Sequence, residues 1–209
     1  EINLVYSMKP IKVIAFDADD TLWVNEPFFR ETENQFCDLV SEFISKQEAK
    51  KQLLTIELKN LPLYGYGVKG FTLSLIETLG IITEGQASFD LVNQTIILGQ
   101  SMLAKPVELL DGVEELLKKL NGDYRLVMAT KGDLLDQERK LIKSGLEKYF
   151  HHIEVMSDKT ELDYEKMLGR LDCNVEDFLM IGNSLKSDVL PVLNIGGHAI
   201  HIPYHSTWE

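Results

Sequence analysis

The chain has 209 residues, with 33 acidic against 21 basic side chains for a formal charge of −12, and 44% of its residues are hydrophobic. That apolar fraction supports a real core and excludes a disordered chain, while the length suits one large domain or one domain carrying a sizeable insertion. The acid excess is spread along the chain and argues against a nucleic-acid partner, which would need clustered Lys and Arg. No apolar run approaches the roughly 18 residues a bilayer span requires, and the start EINLVYSMKP lacks the basic-then-apolar layout of a secretory leader. The expectation is a soluble, cytoplasmic protein with no membrane partner, Met8 being a candidate natural start and residues 1–7 an upstream extension. Cys37 and Cys173 stand apart, without a Cys-x-x-Cys or Cys/His cluster, which points to two reduced, buried thiols rather than a disulfide or a zinc site.

In chain order, IKVIAF at 11–16 is short, β-branched and almost free of polar residues, the pattern of a strand buried on both faces. It ends in DADDT. Residues 23–105 are too many for a loop, because structureless connections beyond about 15 residues are uncommon in compact domains. Within them PFFRETENQFCDLVSEFI, QEAKKQLLTIEL, GFTLSLIETL and SFDLVNQTIILGQSML carry apolar residues three and four apart, which predicts four helices. Asp111 and Gly112 then open GVEELLKKL, whose Val113, Leu116, Leu117 and Leu120 share one helical face. Strands follow at 125–129, more weakly at 153–156, and again at 178–181 and 199–202. The helices between them are LLDQERKLIKSGL, stopped by Gly145, and YEKMLGRL, preceded by the capping pair Thr160 and Asp163. Alternating strands and helices imply a Rossmann-like α/β core with a mostly parallel sheet, assigned to residues 8–22 and 106–209. An all-helical cap domain, residues 23–105, is inserted into it.

Ligands of open parallel sheets bind beyond the carboxyl ends of the strands. The polar residues placed there are Asp17, Asp19, Asp20 and Thr21; Thr130, Lys131 and Gly132; Asp158 and Lys159; and Gly182, Asn183, Ser184 and Asp188. Several carboxylates in one place repel unless a cation joins them, and an oxygen-rich set suits Mg²⁺. With the ion and Lys159 offsetting repulsion, a phosphate dianion could meet an anionic nucleophile, so the expected chemistry is phosphoryl transfer.

These residues resemble the four motifs of the haloacid dehalogenase-like hydrolase superfamily: Asp17-Ala-Asp19-Asp20-Thr21, Thr130, Lys159, and Gly182-Asn183-Ser184 with Asp188. They occur in the right order and cover essentially the whole α/β portion. The resemblance implies that Asp17 is the nucleophile and Asp19 the general acid and base. It further implies that Thr130 binds the transferring phosphoryl oxygens and Lys159 stabilises their charge. Mg²⁺ would be held by Asp17, the backbone carbonyl of Asp19, Asn183 and Asp188. The family often has Asp where this chain has the neutral Asn183, and the direct ligand, Asn183 or Asp188, stays open. An acid two residues after the nucleophile protonates an alkoxide leaving group, so Asp19 points to phosphate esters rather than carbon–halogen bonds. The expected partner is a small phosphorylated metabolite.

Lys159 is preferred over Lys166 as the motif lysine, since Lys166 falls about two turns into the following helix and would point away from the strand ends. Lys131 is a substrate-binding candidate. In YGYGVKG, residues 64–70, the glycines suit a hinge, and the resemblance makes Tyr66 and Lys69 candidate specificity residues at the tip of the cap. His151, His152, His198, His201 and His205 lack metal-ligand spacing and receive no role. The rival readings are a sugar phosphomutase of the same superfamily, a receiver-like domain that binds phosphate and Mg²⁺, and a phosphate-binding scaffold without activity. The helices inserted after the first strand disfavour the receiver.

Overall fold

The computed structural model describes residues 11–205; the Met8 start and residues 8–10 of the expected core lie outside them. In chain order the strands are β1 (Val13–Phe16), β2 (Arg125–Lys131), β3 (His152–Met156), β4 (Phe178–Gly182) and β5 (His198–His201). The helices are α1 (Glu26–Leu39), α2 (Lys46–Tyr64), α3 (Val68–Ile82), α4 (Phe89–Ala104), α5 (Val113–Leu120), α6 (Leu134–Ser144), α7 (Glu161–Leu171) and α8 (Leu190–Asn194). The chain forms two compact units, one from 11–22, 109–130 and 146–205, the other from 23–108 and 131–145.

In the first unit the strands lie in the order β3-β2-β1-β4-β5, with β1 parallel to both β2 and β4, and β4 parallel to β5. All four residues of β1 are buried, as its unbroken apolar run requires at the centre of a sheet. At the edge, β5 is largely exposed and begins one residue before the predicted strand. Val13, Ala15, Val127, Phe178 and Met180 meet Tyr164, Met167 and Leu171 of α7 in one core. Each fully buried large side chain there contributes roughly 1.5–3 kcal/mol from removal of apolar surface from water.

The second unit has its own core, built from Phe36, Cys37, Leu53, Phe71, Leu75 and Leu79 of α1, α2 and α3, with Met102 of α4. Four helices between β1 and α5 match the predicted number, but several boundaries differ, α3 for example running Val68–Ile82 rather than 70–79. α1 stops at Leu39, because Ser45 starts α2 with a capping box to Glu48. α2 continues to Tyr64 through Pro62, which sits in the last turn, where a missing backbone N–H removes a single intrahelical bond. α6 ends as predicted at Gly145, which has φ of +71°. Cys37 is buried, whereas Cys173 is only half-buried, its Sγ donating to Asn174 O at 3.3 Å. Among the described residues, no helix is long and apolar enough to cross a membrane.

Candidate active site

The register pairs Phe16, the last residue of β1, with Met128 and Ile181, and β2 runs on to Lys131 and β4 to Gly182. Asp17 follows Phe16, and its backbone N–H still donates to Ile181 O at 2.9 Å. The chain then turns sharply, with Ala18 O accepting from Thr21 N and Leu22 N and with Asp20 in the left-handed region at φ of 60°. An Asp tolerates that conformation better than most L-residues. The turn folds Thr21 back so that its Oγ1 donates to Asp17 Oδ2 at 3.3 Å.

Lys159 stands just ahead of α7, where the reciprocal capping box of Thr160 and Asp163 fixes the first turn. Its Nζ donates to Asp17 Oδ1 at 2.5 Å and to Asp188 Oδ1 at 2.7 Å, and its side chain is 1% exposed. Lys166, further along α7, is exposed. Asp188 comes from a π-helical turn, Leu185–Val189, a geometry that often marks functional sites. Its Oδ2 accepts from the Ser184 N–H at 2.9 Å. The carboxylate lies so close to the end of β4 that a Cβ on Gly182 would come within 2.3 Å of that oxygen, so this position requires glycine. Fully buried Tyr164 donates its hydroxyl to Ser187 O at 2.9 Å, tying α7 to the turn that carries Asp188.

Two aspartates and one lysine leave one uncompensated negative charge in a buried place. Burial pushes Asp17 up, Lys159 pulls it down, and the charge of Asp188 raises it again, to about 7. Burial alone would lower Lys159, but attraction to Asp17 and Asp188 holds it above the ordinary lysine range. The Lys159 ammonium, lodged between the two carboxylates, offsets part of their charge.

The donor set nevertheless fits Mg²⁺. It consists of oxygens, it carries residual negative charge, and Gly182 leaves the Asp188 carboxylate room to seat. Among the described residues, no three His, Cys, Asp or Glu side chains are grouped as a metal cage. An ion here would complete its shell from a backbone carbonyl, the Asn183 amide and water, which suits an ion that dehydrates reluctantly.

Asp17, Lys159 and Asp188 are thus in direct contact. Thr130 is buried near the end of β2, and Asp19 is half-buried. Asn183 is half-buried, and its carbonyl accepts from His201 Nε2 at 3.0 Å. In the second unit, Lys131 Nζ lies 3.9 Å above the Tyr66 ring, and Lys69 Nζ donates to both carboxylate oxygens of Asp133 at 2.9 Å. The candidate specificity residues thus engage the segment immediately following Thr130. Sequence reasoning gave no role to the Thr21 hydroxyl, the Ser184 N–H, Tyr164 or the missing Cβ of Gly182. Thr21, Gly182 and Ser184 were already placed at the strand ends by their motifs, whereas nothing local singled out Tyr164.

The sequence model of the haloacid dehalogenase-like hydrolases matches residues 11–196. The chain belongs to that family. A haloacid dehalogenase-like family hydrolase of known structure from Xanthomonas campestris is 40% identical to this hydrolase, with a TM-score of 0.89 over 96% of this chain and 88% of its own. Glyceraldehyde 3-phosphate phosphatase of Methanothermobacter thermautotrophicus is 25% identical to it over 206 residues, 91% of this chain and 84% of the relative. Human N-acylneuraminate-9-phosphatase is 26% identical over 117 residues, 54% of this chain and 47% of the relative.

Proposed function

We propose that this hydrolase is a Mg²⁺-dependent phosphatase that cleaves a small phosphomonoester through an aspartyl-phosphate on Asp17. The observation that carries the reading is the buried Asp17 carboxylate, oriented by Lys159 at 2.5 Å and by Thr21, with a second acid two residues along the same turn. The phosphatases among its relatives support the ester class.

An oxygen of Asp17 attacks phosphorus, and the bond from phosphorus to the ester oxygen breaks. Asp19 gives its proton to the departing alkoxide, without which that leaving group would be poor. Asp19 then takes a proton from water, whose oxygen attacks phosphorus, releasing phosphate and restoring Asp17. Lys159 restrains Asp17 in one orientation and offsets charge as the two anions approach. Thr130 donates to a phosphoryl oxygen. Bound by Asp17, the Asp19 carbonyl, Asn183 and Asp188, Mg²⁺ supplies Lewis-acid stabilisation of phosphoryl charge. Of Asn183 and Asp188, the carboxylate is the stronger ligand for a hard cation, and Asp188 is the direct side-chain ligand in this assignment.

The test is Asp17→Asn assayed on an aryl phosphate and a panel of phosphorylated metabolites, with and without EDTA. Free phosphate should appear only with the parent protein and only with Mg²⁺, and the variant should fall by at least about 10³-fold while keeping its fold. Retained turnover would exclude Asp17 as nucleophile. An isomerised sugar phosphate in place of free phosphate would make the protein a phosphomutase.

A further inference from the structure

Ser187, the residue before Asp188, lies in the π-helical turn Leu185–Val189. A carbonyl in an α-helix accepts from the N–H four residues on. For Ser187 that position is Pro191, the second residue of α8, which has no N–H to give. The Tyr164 hydroxyl donates to the Ser187 carbonyl at 2.9 Å. From its other end the turn is held by Ser184, whose Oγ accepts from the Ser187 N–H at 3.1 Å and whose carbonyl accepts from the Asp188 N–H at 2.8 Å.

Tyr164 is the fourth residue of α7 and stands five residues after Lys159. One short stretch of chain therefore reaches Asp188 twice. The Lys159 ammonium meets its Oδ1 at 2.7 Å, and the Tyr164 hydroxyl grips the backbone just ahead of it. The Tyr164 ring is fully buried in the core of the first unit, 6.4 Å from the Phe178 ring, so close packing leaves the hydroxyl little freedom to wander. Burial, offset in part by Lys159 and reinforced by Asp188 and Asp17, holds this phenol above the ordinary tyrosine range, so it stays a protonated donor. Packing alone would be served by phenylalanine. A buried hydroxyl costs desolvation unless it is bonded, and here the bond falls on the turn that carries Asp188.

We propose that Tyr164 is a positioning residue, whose hydroxyl supplies the Ser187 carbonyl with the donor that Pro191 lacks and so fixes the turn that presents the Asp188 carboxylate beside Asp17. This role rests on the reading above, in which Asp188 helps to hold Mg²⁺. Tyr164 acts through Asp188 rather than on the substrate. Groups that orient a metal ligand from behind change metal affinity or activity by about 10–100-fold when removed.

The experiment compares the full chain with Tyr164→Phe, which removes one oxygen and keeps the ring, and with Leu171→Ala, which opens the same core further along α7. In calorimetric titration with Mg²⁺ alone, Tyr164→Phe should bind about tenfold or more weakly. Leu171→Ala should lose stability in urea through its cavity yet bind Mg²⁺ within about threefold of the parent. With an aryl phosphate at saturating Mg²⁺, kcat should fall in Tyr164→Phe while KM stays within about twofold. Without metal, amide hydrogen exchange at Ser184 and Asp188, measured relative to the amides of β1, should speed about tenfold in Tyr164→Phe and hold steady in Leu171→Ala. Unaltered Mg²⁺ affinity and exchange in Tyr164→Phe, or equal losses of both in the two variants, would overturn the proposal. A parent that binds no Mg²⁺ would refute the phosphatase reading instead, and the metal-free exchange would then decide the role of Tyr164 by itself.

Discussion

Two lysines in this protein are each gripped by aspartate oxygens, and their surroundings make them different interactions. Lys159 meets Asp17 and Asp188 at 2.5 and 2.7 Å with 1% of its side chain exposed. Lys69 meets both oxygens of Asp133 at 2.9 Å with its side chain 55% exposed. Around Lys159 water is excluded, so each charge depends on the others and the loss of one strands the rest. Around Lys69 solvent and salt screen the attraction, and either partner can be hydrated instead. Distance alone does not rank ion pairs. Burial does, and it separates the catalytic candidate from a surface clasp.

The largest expected effect tests the buried side of that contrast. Lys159→Met leaves Asp17 and Asp188 facing each other without a cation and should destabilise the fold by about 3–5 kcal/mol in urea unfolding without metal. Adding Asp17→Asn to it should restore part of the loss, as a double-mutant cycle between contacting groups would register. A loss no larger than that of a surface variant would break the comparison.

A middle case lies in the second unit, where Glu57 of α2 is half-buried and pushed up to about 7, first by burial and then by the carboxylates of Glu33 and Glu26. Its proton is held more tightly in the folded state, so its contribution to stability is complete below the ordinary 4.5 and is lost as pH rises through about 7. Glu57→Gln should flatten that slope and raise stability at pH 8 by about 1–3 kcal/mol relative to the parent. A slope unaltered by the substitution would show that Glu57 ionises normally. The smallest effect belongs to Lys69→Ala, which should change stability by less than about 1 kcal/mol, with the difference fading in 1 M salt. A larger or salt-independent loss would place Lys69 with Lys159.

Much of this was legible in the sequence, for physical reasons. Buried parallel strands leave unbroken apolar runs, so IKVIAF and the segments at 125–129 and 178–181 stand out in the sequence itself. Gly145 and the Thr160–Asp163 pair announced their helix ends, because a left-handed residue and a reciprocal cap need those residue types. The choice of Lys159 over Lys166 followed from helical geometry; Lys159 is buried and Lys166 is exposed. What remained hidden depends on contacts between distant positions. Lys159 and Asp17 are 142 residues apart, so the contact between them left no local pattern. Pro62 concealed the end of α2, since proline usually stops a helix and only its place in the last turn makes it tolerable.

The central claim is that Asp17 carries the phosphoryl group, and rapid quenching of a single turnover addresses it most directly. Enzyme in excess over an aryl phosphate, with Mg²⁺ present, is quenched in acid, digested and examined by mass spectrometry, using Asp19→Asn to slow breakdown of the intermediate. The account predicts one phosphoryl group on the peptide containing Asp17, chased to free phosphate in the parent and absent from Asp17→Asn. Release of phosphate at full rate with that peptide unmodified at every time point would contradict it.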